Sequence, residues 1–305
     1  MILYIDKDFI IEFEARLREN NPIDYPEENE VNNRLLQVFT KYAGVQLFTD
    51  VHFDELKNFY IFKLAVSVNP RIESKKTFLN VLSKCNDQTP ILAFTNSDKS
   101  IIDIVTKFNG LGFTTENYIS LLHEIIKKEV SFRFAEMNNQ FKWSHLMSYL
   151  NWRTKTMILV DNFILLNDGK INSNLKPLLK SIAPNKFVTQ FKILVNRDEY
   201  RQNRRADGPI DFSNFENDIN EFVDDIDGSF TVKVKTYSKS NSKYDLHDRR
   251  LYMRYAIIEI GKGFDLLPID FNSVSDRKIQ IRSIFTKDTH DDFRVFYKGI
   301  ETLVG

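Results

Sequence analysis

The sequence predicts an α/β protein of two domains, and three observations support this fold class. Short apolar runs that end in an acidic residue alternate with amphipathic helical patterns, as buried parallel strands alternate with helices. The chain has 305 residues, and since domains typically contain roughly 100 to 200 residues, two domains are expected. A polar stretch at residues 136–140 separates two such patterns, so we place one domain at residues 1–135 and the other at residues 143–305.

The first domain begins with a strand at residues 2–5 that ends at Asp6, followed by a helix at residues 9–17. Further helices are predicted at residues 30–42, 54–64 and 101–108 and after Thr115, and further strands at residues 45–48, 90–94 and 111–114. Because the carboxyl ends of parallel strands meet at one edge of a sheet, we expect the strand-terminal acids to gather at that edge of a Rossmann-like domain.

These acids resemble the pattern of the PIN domain, a family of metal-dependent ribonucleases. In that family an aspartate ends the first strand, an acid lies on an early helix and a later strand ends in Thr-x-x-Asp or Thr-x-Asp; the matching residues here are Asp6, Glu30, and Thr95 with Asp98. The resemblance implies that Asp6, Glu30 and Asp98 are catalytic and that Asp6, Asp98 and Asp103 bind Mg²⁺ or Mn²⁺. Such hard cations take oxygen ligands and activate water for attack on a phosphodiester. The alternative is that Asp98 only caps the helix that follows it.

The second domain begins with an apolar strand at residues 157–160 that ends at Asp161, and a helix follows at residues 174–179. Near the other end, residues 251–259 alternate with a period of two, which predicts one half-buried strand. His247 and Arg249 precede this strand, and Lys262 stands between two glycines after it. Backbone N–H groups in such a glycine turn can approach an anion, so His247, Arg249 and Lys262 are predicted to bind phosphate.

The Leu-His-Asp-Arg block at residues 246–249 and the Gly-Lys-Gly-Phe-Asp turn at residues 261–265 resemble the phospholipase-D-like domain at the C-terminus of proteins that carry a microtubule-interacting-and-trafficking (MIT) domain. The similarity extends upstream to the strand before Asp161, where Asn162 replaces the usual proline. The resemblance implies a phospholipase-D-like α/β fold, a homodimer, and binding of an anionic phospholipid headgroup without catalysis.

The catalytic interpretation of His247 is the alternative. Active phospholipase-D-type enzymes use His-x-Lys-x4-Asp, and here Arg249 occupies the lysine position while Arg254 occupies that of the aspartate. Arginine still binds phosphate. Arg254 cannot accept the imidazole N–H that would orient the histidine, so binding is favoured over phosphodiester chemistry.

The composition restricts the partners and the compartment. The 42 basic and 42 acidic residues cancel, so no global field steers the chain towards nucleic acid or anionic lipid. Cys85 is the single cysteine, which excludes an internal disulfide and predicts a reducing, cytoplasmic location. We expect no signal peptide, because the first residues lack its basic-then-apolar layout. We expect no transmembrane segment, because no apolar run approaches the roughly 18 residues that a membrane span requires.

Two functional hypotheses follow. In the first, the chain is a nuclease effector, in which the first domain cuts nucleic acid with Mg²⁺ or Mn²⁺ and the second dimerises or binds an anionic ligand. In the second, the chain is a non-enzymatic module that binds phospholipid, nucleic acid or protein. Aromatic residues near the C-terminus are predicted to anchor the homodimer, with the domain's own core as the alternative location; they are Phe285, Phe293, Phe296 and Tyr297.

Overall fold

The computed structural model describes residues 1–19, 24–68, 71–133, 143, 153–204, 211–238, 249–261 and 278–304. The α/β prediction is confirmed, since the chain forms a five-stranded parallel sheet and a seven-stranded mixed sheet, both accompanied by helices. The chain divides into two compact units. The first contains Met1–Lys128 with Ser283–Arg294, and the second contains Glu129–Arg282 with Val295–Gly305.

The first unit contains the parallel sheet, in the order β3-β2-β1-β4-β5. Its strands are β1 (Ile2–Ile5), β2 (Gln46–Thr49), β3 (Arg71–Ser74), β4 (Ile91–Phe94) and β5 (Leu111–Phe113). Its helices are α1 (Lys7–Glu19), α2 (Pro26–Thr40), a 3₁₀ helix (Phe53–Asn58), α3 (Tyr60–Val68), α4 (Lys75–Leu82), α5 (Lys99–Lys107) and α6 (Tyr118–Ile126). This order of strands is that of doubly wound folds, which bind ligands outside the carboxyl ends of the strands.

The central strands of this sheet are buried along their whole length. All four residues of β1 and all four of β4 are buried, as expected for parallel strands covered by helices on both faces. Tyr4, Phe48 and Phe78 pack together in the core, with the rings of Tyr4 and Phe78 stacked at 5.0 Å between centroids. This packing leaves the side chain of Tyr4 fully buried.

The second unit contains the mixed sheet, in the order β6-β12-β11-β10-β7-β8-β9. Its strands are β6 (Val130–Arg133), β7 (Thr156–Val160), β8 (Gln190–Asn196), β9 (Thr231–Tyr237), β10 (Arg250–Tyr252), β11 (Ala256–Ile260) and β12 (Lys278–Ser283). Strands β7, β8 and β9 are parallel, whereas β10 runs antiparallel to both β7 and β11. The helices are α7 (Lys176–Ile182), preceded by Asp168–Lys170 and a π turn (Ile171–Leu175), then α8 (Arg197–Arg204), α9 (Ser213–Asp225) and α10 (Lys287–Val304).

Several elements differ from the prediction. The single strand predicted at residues 251–259 is wrong, because the chain turns at residues 253–255 and pairs β10 with β11. The strand β3 and the helix α4 are not predicted at all. Residues 71–74 contain one apolar residue, Ile72, which is too few for a period, and β3 pairs with β2 alone at the edge of its sheet.

The units also differ from the predicted boundaries at two points. Strand β6, placed in the first domain by the sequence, pairs with β12 in the sheet of the second unit. The segment Ser283–Arg294 groups with the first unit although it lies near the end of the chain.

Candidate functional site

Asp6 lies at the carboxyl end of β1, where its side chain is fully buried and accepts five hydrogen bonds. Oδ1 accepts from the backbone N–H of Phe9 at 2.7 Å, which caps α1. Oδ2 accepts from Thr95 Oγ1 at 2.5 Å, from the N–H groups of Asn96 and Ser97 at 2.8 and 3.0 Å, and from Ser97 Oγ at 2.8 Å. A carboxylate offers about four lone-pair sites. Asp6 therefore fastens the exit of β4 to the end of β1, and its acceptor capacity is used within the protein.

Asp98 lies at the same edge and caps α5. Its Oδ1 accepts from the backbone N–H of Ser100 at 3.1 Å and from Ser100 Oγ at 2.5 Å, and its Oδ2 forms an ion pair with Lys75. Hydrogen bonding from Lys75, followed by that from Ser100, lowers the pKa of Asp98 below its ordinary value. The capping alternative is thus what the structure shows. Lys75 was missed at the sequence level because α4, which carries it, was not predicted.

The structure brings Asp6 and Asp98 together through Thr95, whose Oγ1 accepts from the backbone N–H of Asp98 at 3.2 Å. It does not bring the other predicted acids to them. Glu30 is about half exposed and pairs with Arg34 on its own helix at 2.9 Å, and Asp103 is an exposed residue of α5. Within the described ranges, no three His, Cys, Asp or Glu side chains are grouped as a metal ion would require. Binding of Mg²⁺ or Mn²⁺ stays a prediction.

Tyr4 and Asp50 complete this edge. The sequence marks Asp50 as the acid that ends the second strand, but neither residue was predicted to belong to a functional site. The hydroxyl of Tyr4 is buried and has no hydrogen-bond partner among the described residues. Burial, followed by the charges of Asp50, Asp6 and Asp98, raises the pKa of Tyr4 above its ordinary value. Asp50 reaches solvent on one side and accepts from the backbone N–H of Lys7 at 2.8 Å, yet the atoms packed around its carboxyl group raise its pKa. The edge is therefore electronegative and contains one unused donor.

Arg249, the predicted anion-binding residue that the structure describes, lies at the corresponding edge of the second sheet. The antiparallel pairing of β10 with β7 places Arg250 opposite Val160, so Arg249 stands beside the carboxyl end of β7. Its guanidinium carbon lies 4.7 Å from the centroid of the Phe163 ring, and Lys170 Nζ lies 5.7 Å from the same centroid. Two cations thus share one aromatic ring. His247 and Lys262 lie outside the described residues.

The turn that carries Phe163 is held by side-chain hydrogen bonds. Asp161 Oδ1 accepts from the N–H groups of Phe163 and of the next residue at 2.7 and 3.1 Å. Asn162 accepts from the N–H of Asn196 at 2.6 Å and donates to Glu199 Oε2 at 2.6 Å. A proline at position 162 could make neither of these side-chain bonds. They tie the turn to the end of β8 and so fix the ring beneath Arg249.

Arg254 is not part of this cluster. It lies in the turn between β10 and β11, at the opposite end of β10 from Arg249. Its side chain is only 2% exposed, and its guanidinium carbon lies 5.7 Å from the centroid of the Tyr255 ring. Arg254 is therefore a core residue in this structure.

The aromatic residues predicted to anchor a homodimer are largely buried within the chain. Phe285, Phe293 and Phe296 are 2 to 3% exposed, and the Phe296 ring stacks on Tyr252 at 3.5 Å between centroids. Tyr297 is partly buried. The three phenylalanines are core residues and so do not supply an interface, and the homodimer stays a prediction.

Comparison with family models, with curated proteins and with solved structures finds no match to this chain. The resemblances to the PIN domain and to the phospholipase-D-like domain therefore stay predictions. None of the helices in the described part of the chain is both long enough and apolar enough to cross a bilayer.

Proposed function

We propose that this chain binds a phosphate-bearing anionic ligand through Arg249 and Lys170 at the carboxyl end of β7, and that it does so without cleaving a bond. The observation that carries this proposal is the pair of cations on the ring of Phe163. The face of an aromatic ring attracts a cation and orients a planar guanidinium group. Arg249 held in this way can direct its N–H groups towards a phosphate.

The chemistry of the two cations favours phosphate over a neutral ligand. A guanidinium group donates two parallel hydrogen bonds to a phosphate, and a lysine adds a point charge. A phosphate that contacts both groups would accept two charge-assisted interactions, which a neutral ligand cannot do. The phosphorylated headgroup of an anionic phospholipid fits this chemistry, in keeping with the binding role inferred from the resemblance to MIT-associated domains.

The experiment compares vesicles of phosphatidylcholine with the same vesicles containing about 5% phosphatidylinositol bisphosphate, with free inositol trisphosphate as a soluble probe. We expect Arg249→Ala and Lys170→Ala each to weaken binding roughly tenfold or more. The matched control is Lys180→Ala, an exposed lysine of α7, which should bind as the wild type does. Binding to inositol trisphosphate but not to vesicles would assign the site to a soluble ligand. Unchanged affinity in Arg249→Ala, or cleavage of a phosphodiester by the wild type, contradicts the proposal.

A second candidate function is metal-dependent cleavage of nucleic acid at the edge of the first sheet. It is favoured by the strand order β3-β2-β1-β4-β5, with Asp6, Asp50 and Asp98 at the carboxyl ends and the unused Tyr4 hydroxyl behind them. In this function Asp6 and Asp98 would hold Mg²⁺ or Mn²⁺ in place of Lys75 and of some of the N–H and O–H groups from which they now accept hydrogen bonds. Calorimetric titration with MnCl₂ and an RNA cleavage assay test it, with Asp98→Asn as the variant and Asp103→Asn as the matched control on α5. Absence of both metal binding and cleavage in the wild type eliminates this candidate.

A further inference from the structure

An apolar groove lies on the first unit between the 3₁₀ helix and the beginning of α3. Its volume is about 510 Å³, and its described lining consists of Phe53, Asp54, Leu56, Lys57, Phe62 and Lys63. Leu56 and Phe62 are buried and form the floor. Phe53 stands at the rim and is 83% exposed, the highest value among the large apolar side chains of the described residues. We call this surface the Phe53 groove.

The exposure of Phe53 indicates a contact surface because it is continuous with the apolar floor. A single exposed apolar residue is ordinary and needs no explanation. Phe53 differs because Leu56 and Phe62 extend the apolar surface inwards into a concave site. Covering a phenylalanine side chain removes it from water with a gain of roughly 1.5 to 3 kcal/mol. A partner that fills the groove would obtain most of that gain.

The charges around the Phe53 groove identify the partner's chemistry. Lys57 and Lys63 are exposed, and neither forms an ion pair with any residue that the structure describes. The neighbouring acids are engaged elsewhere. Glu55 pairs with Lys7 at 2.6 Å, and Glu14 accepts from the backbone N–H of Ile61 at 3.0 Å.

The remaining acid at the rim does not reverse this excess of positive charge. Asp54 lies 3.4 Å from the imidazole of His52 and is itself exposed, so it balances at most one of the two lysines. The rim is therefore complementary to a partner that carries acidic side chains beside its apolar ones.

We propose that the Phe53 groove binds a short acidic amphipathic segment of a partner protein. Two apolar side chains from one face of that segment fill the space between Phe53 and Phe62, and a neighbouring Asp or Glu pairs with Lys57 or Lys63. An amphipathic helix places its apolar side chains at i and i+3 or i+4, which suits a groove of this kind. The groove is open at a rim that carries exposed residues, whereas a free fatty acid requires a pocket that encloses most of its surface.

The test is a selection from a library of displayed random peptides of about 12 residues, roughly three helical turns, for binding to the intact protein. The affinity of the enriched peptides is then measured by fluorescence polarisation. We expect the enriched sequences to carry paired apolar residues and a net negative charge. Phe53→Ser should weaken their binding roughly tenfold or more. The matched control is Phe187→Ser, which removes another exposed phenylalanine, 54% exposed, in the second unit. That variant should bind the peptides as the wild type does.

The variant Lys63→Glu tests the contribution of positive charge at the rim of the Phe53 groove. This variant should lose the acidic peptides and gain affinity for the same peptides with lysine in place of each acid. Enrichment of neutral or basic peptides, or no enrichment, overturns the proposal. An equal loss in Phe53→Ser and Phe187→Ser also overturns it. Displacement of the peptides by oleate, or a dimer seen by light scattering that Phe53→Ser abolishes, would assign the groove to a fatty acid or to a second copy of the chain instead.

Discussion

The side-chain amide of Asn220 makes to Val232 the two hydrogen bonds that a neighbouring strand would make. Asn220 Oδ1 accepts from the Val232 N–H at 2.7 Å, and Nδ2 donates to the Val232 carbonyl at 3.1 Å. Strand β9 is the last strand of its sheet, so these backbone groups point away from β8. Glu216, one helical turn earlier on α9, accepts from the N–H of Val234 at 2.6 Å. The helix thereby covers an edge that could otherwise pair with another chain.

Replacing Asn220 by alanine should destabilise the second unit by about 1 to 3 kcal/mol, because it leaves both backbone groups of Val232 without a protein partner. The loss should appear as a lower midpoint in urea unfolding with an unchanged slope. Asn217→Ala, an exposed asparagine on the same helix, is the control and should change stability by less than about 0.5 kcal/mol. Equal effects of the two substitutions would show that the contact to β9 does not stabilise the fold.

His290 should make the stability of the protein depend on pH. Its side chain is buried against Tyr42, with the ring centroids 4.7 Å apart, and burial lowers the pKa of His290 to about 4. Asp291 opposes this shift, whereas Arg294 and the amino group of Met1 add to it. The unfolded chain, with the ordinary pKa near 6.5, binds a proton before the folded one does. Stability is therefore complete above about pH 6.5 and falls as the pH is lowered towards 4, by roughly 3 kcal/mol at most.

The measurement is the free energy of unfolding of the wild type and of His290→Phe at several pH values between about 4 and 7.5. Phenylalanine keeps a ring against Tyr42 and has no titrating group. The difference between the two proteins should therefore change in favour of the variant as the pH falls, while carboxylates common to both cancel. A difference that stays constant across the range would contradict the buried, neutral state of His290.

Part of the candidate sites could be predicted because it depends on local patterns. Two runs of four apolar residues indicate buried strands with polar ends: one run precedes Asp6, and the other precedes Thr95 and Asp98. Parallel pairing then brings these polar ends to one edge of the sheet. Lys75 was not predicted although its helix carries recognisable signals, the cap Ser74 and the apolar pair Phe78 and Leu82. The strand β3 before it has a single apolar residue, and the contact with Asp98 joins residues that are distant in the chain.

The cluster around Arg249 shows the same limit. Arg249, Lys170 and Phe163 meet because β10 pairs antiparallel with β7, and the two strands are about 90 residues apart in the chain. The alternation that suggested one continuous strand came from two short strands and their turn, whose residues are nearly all buried. A period of two therefore does not distinguish a long half-buried strand from a buried hairpin.

Asp6→Asn should destabilise the first unit by about 2 to 4 kcal/mol. The carboxylate of Asp6 accepts hydrogen bonds from N–H and O–H groups, whereas the amide nitrogen of asparagine would point its own N–H groups at these donors. The exposed Asp8, two residues later, provides the control Asp8→Asn, which should cost less than about 0.5 kcal/mol. Urea unfolding of both variants measures the difference. A fully stable Asp6→Asn would show that its hydrogen bonds matter little for folding and would strengthen the case for a metal. Asp98→Asn suits a test of nucleic-acid cleavage better than Asp6→Asn does, because Asp98 is partly exposed and its replacement should disturb the fold less.

Glu259 should stabilise the second sheet by separating two arginines. Its Oε2 accepts from Arg250 Nε at 3.1 Å and from an Arg282 terminal nitrogen at 3.0 Å, and all three side chains are partly buried. Glu259→Gln keeps the shape but leaves two guanidinium groups without the shared negative charge, so we expect a loss of about 1 to 3 kcal/mol. Arg282→Met removes one of these cations and leaves the pair between Glu259 and Arg250, so it should cost less.

The double variant, Glu259→Gln with Arg282→Met, should lose less stability than the sum of the two single losses. The reason is that the arginine repelled by Arg250 in Glu259→Gln is absent from the double variant. The loss in Glu259→Gln should also shrink as the salt concentration rises, because salt screens repulsion between partly exposed charges. Strictly additive losses with no dependence on salt would mean that Glu259 acts through packing alone and that the two arginines do not interact.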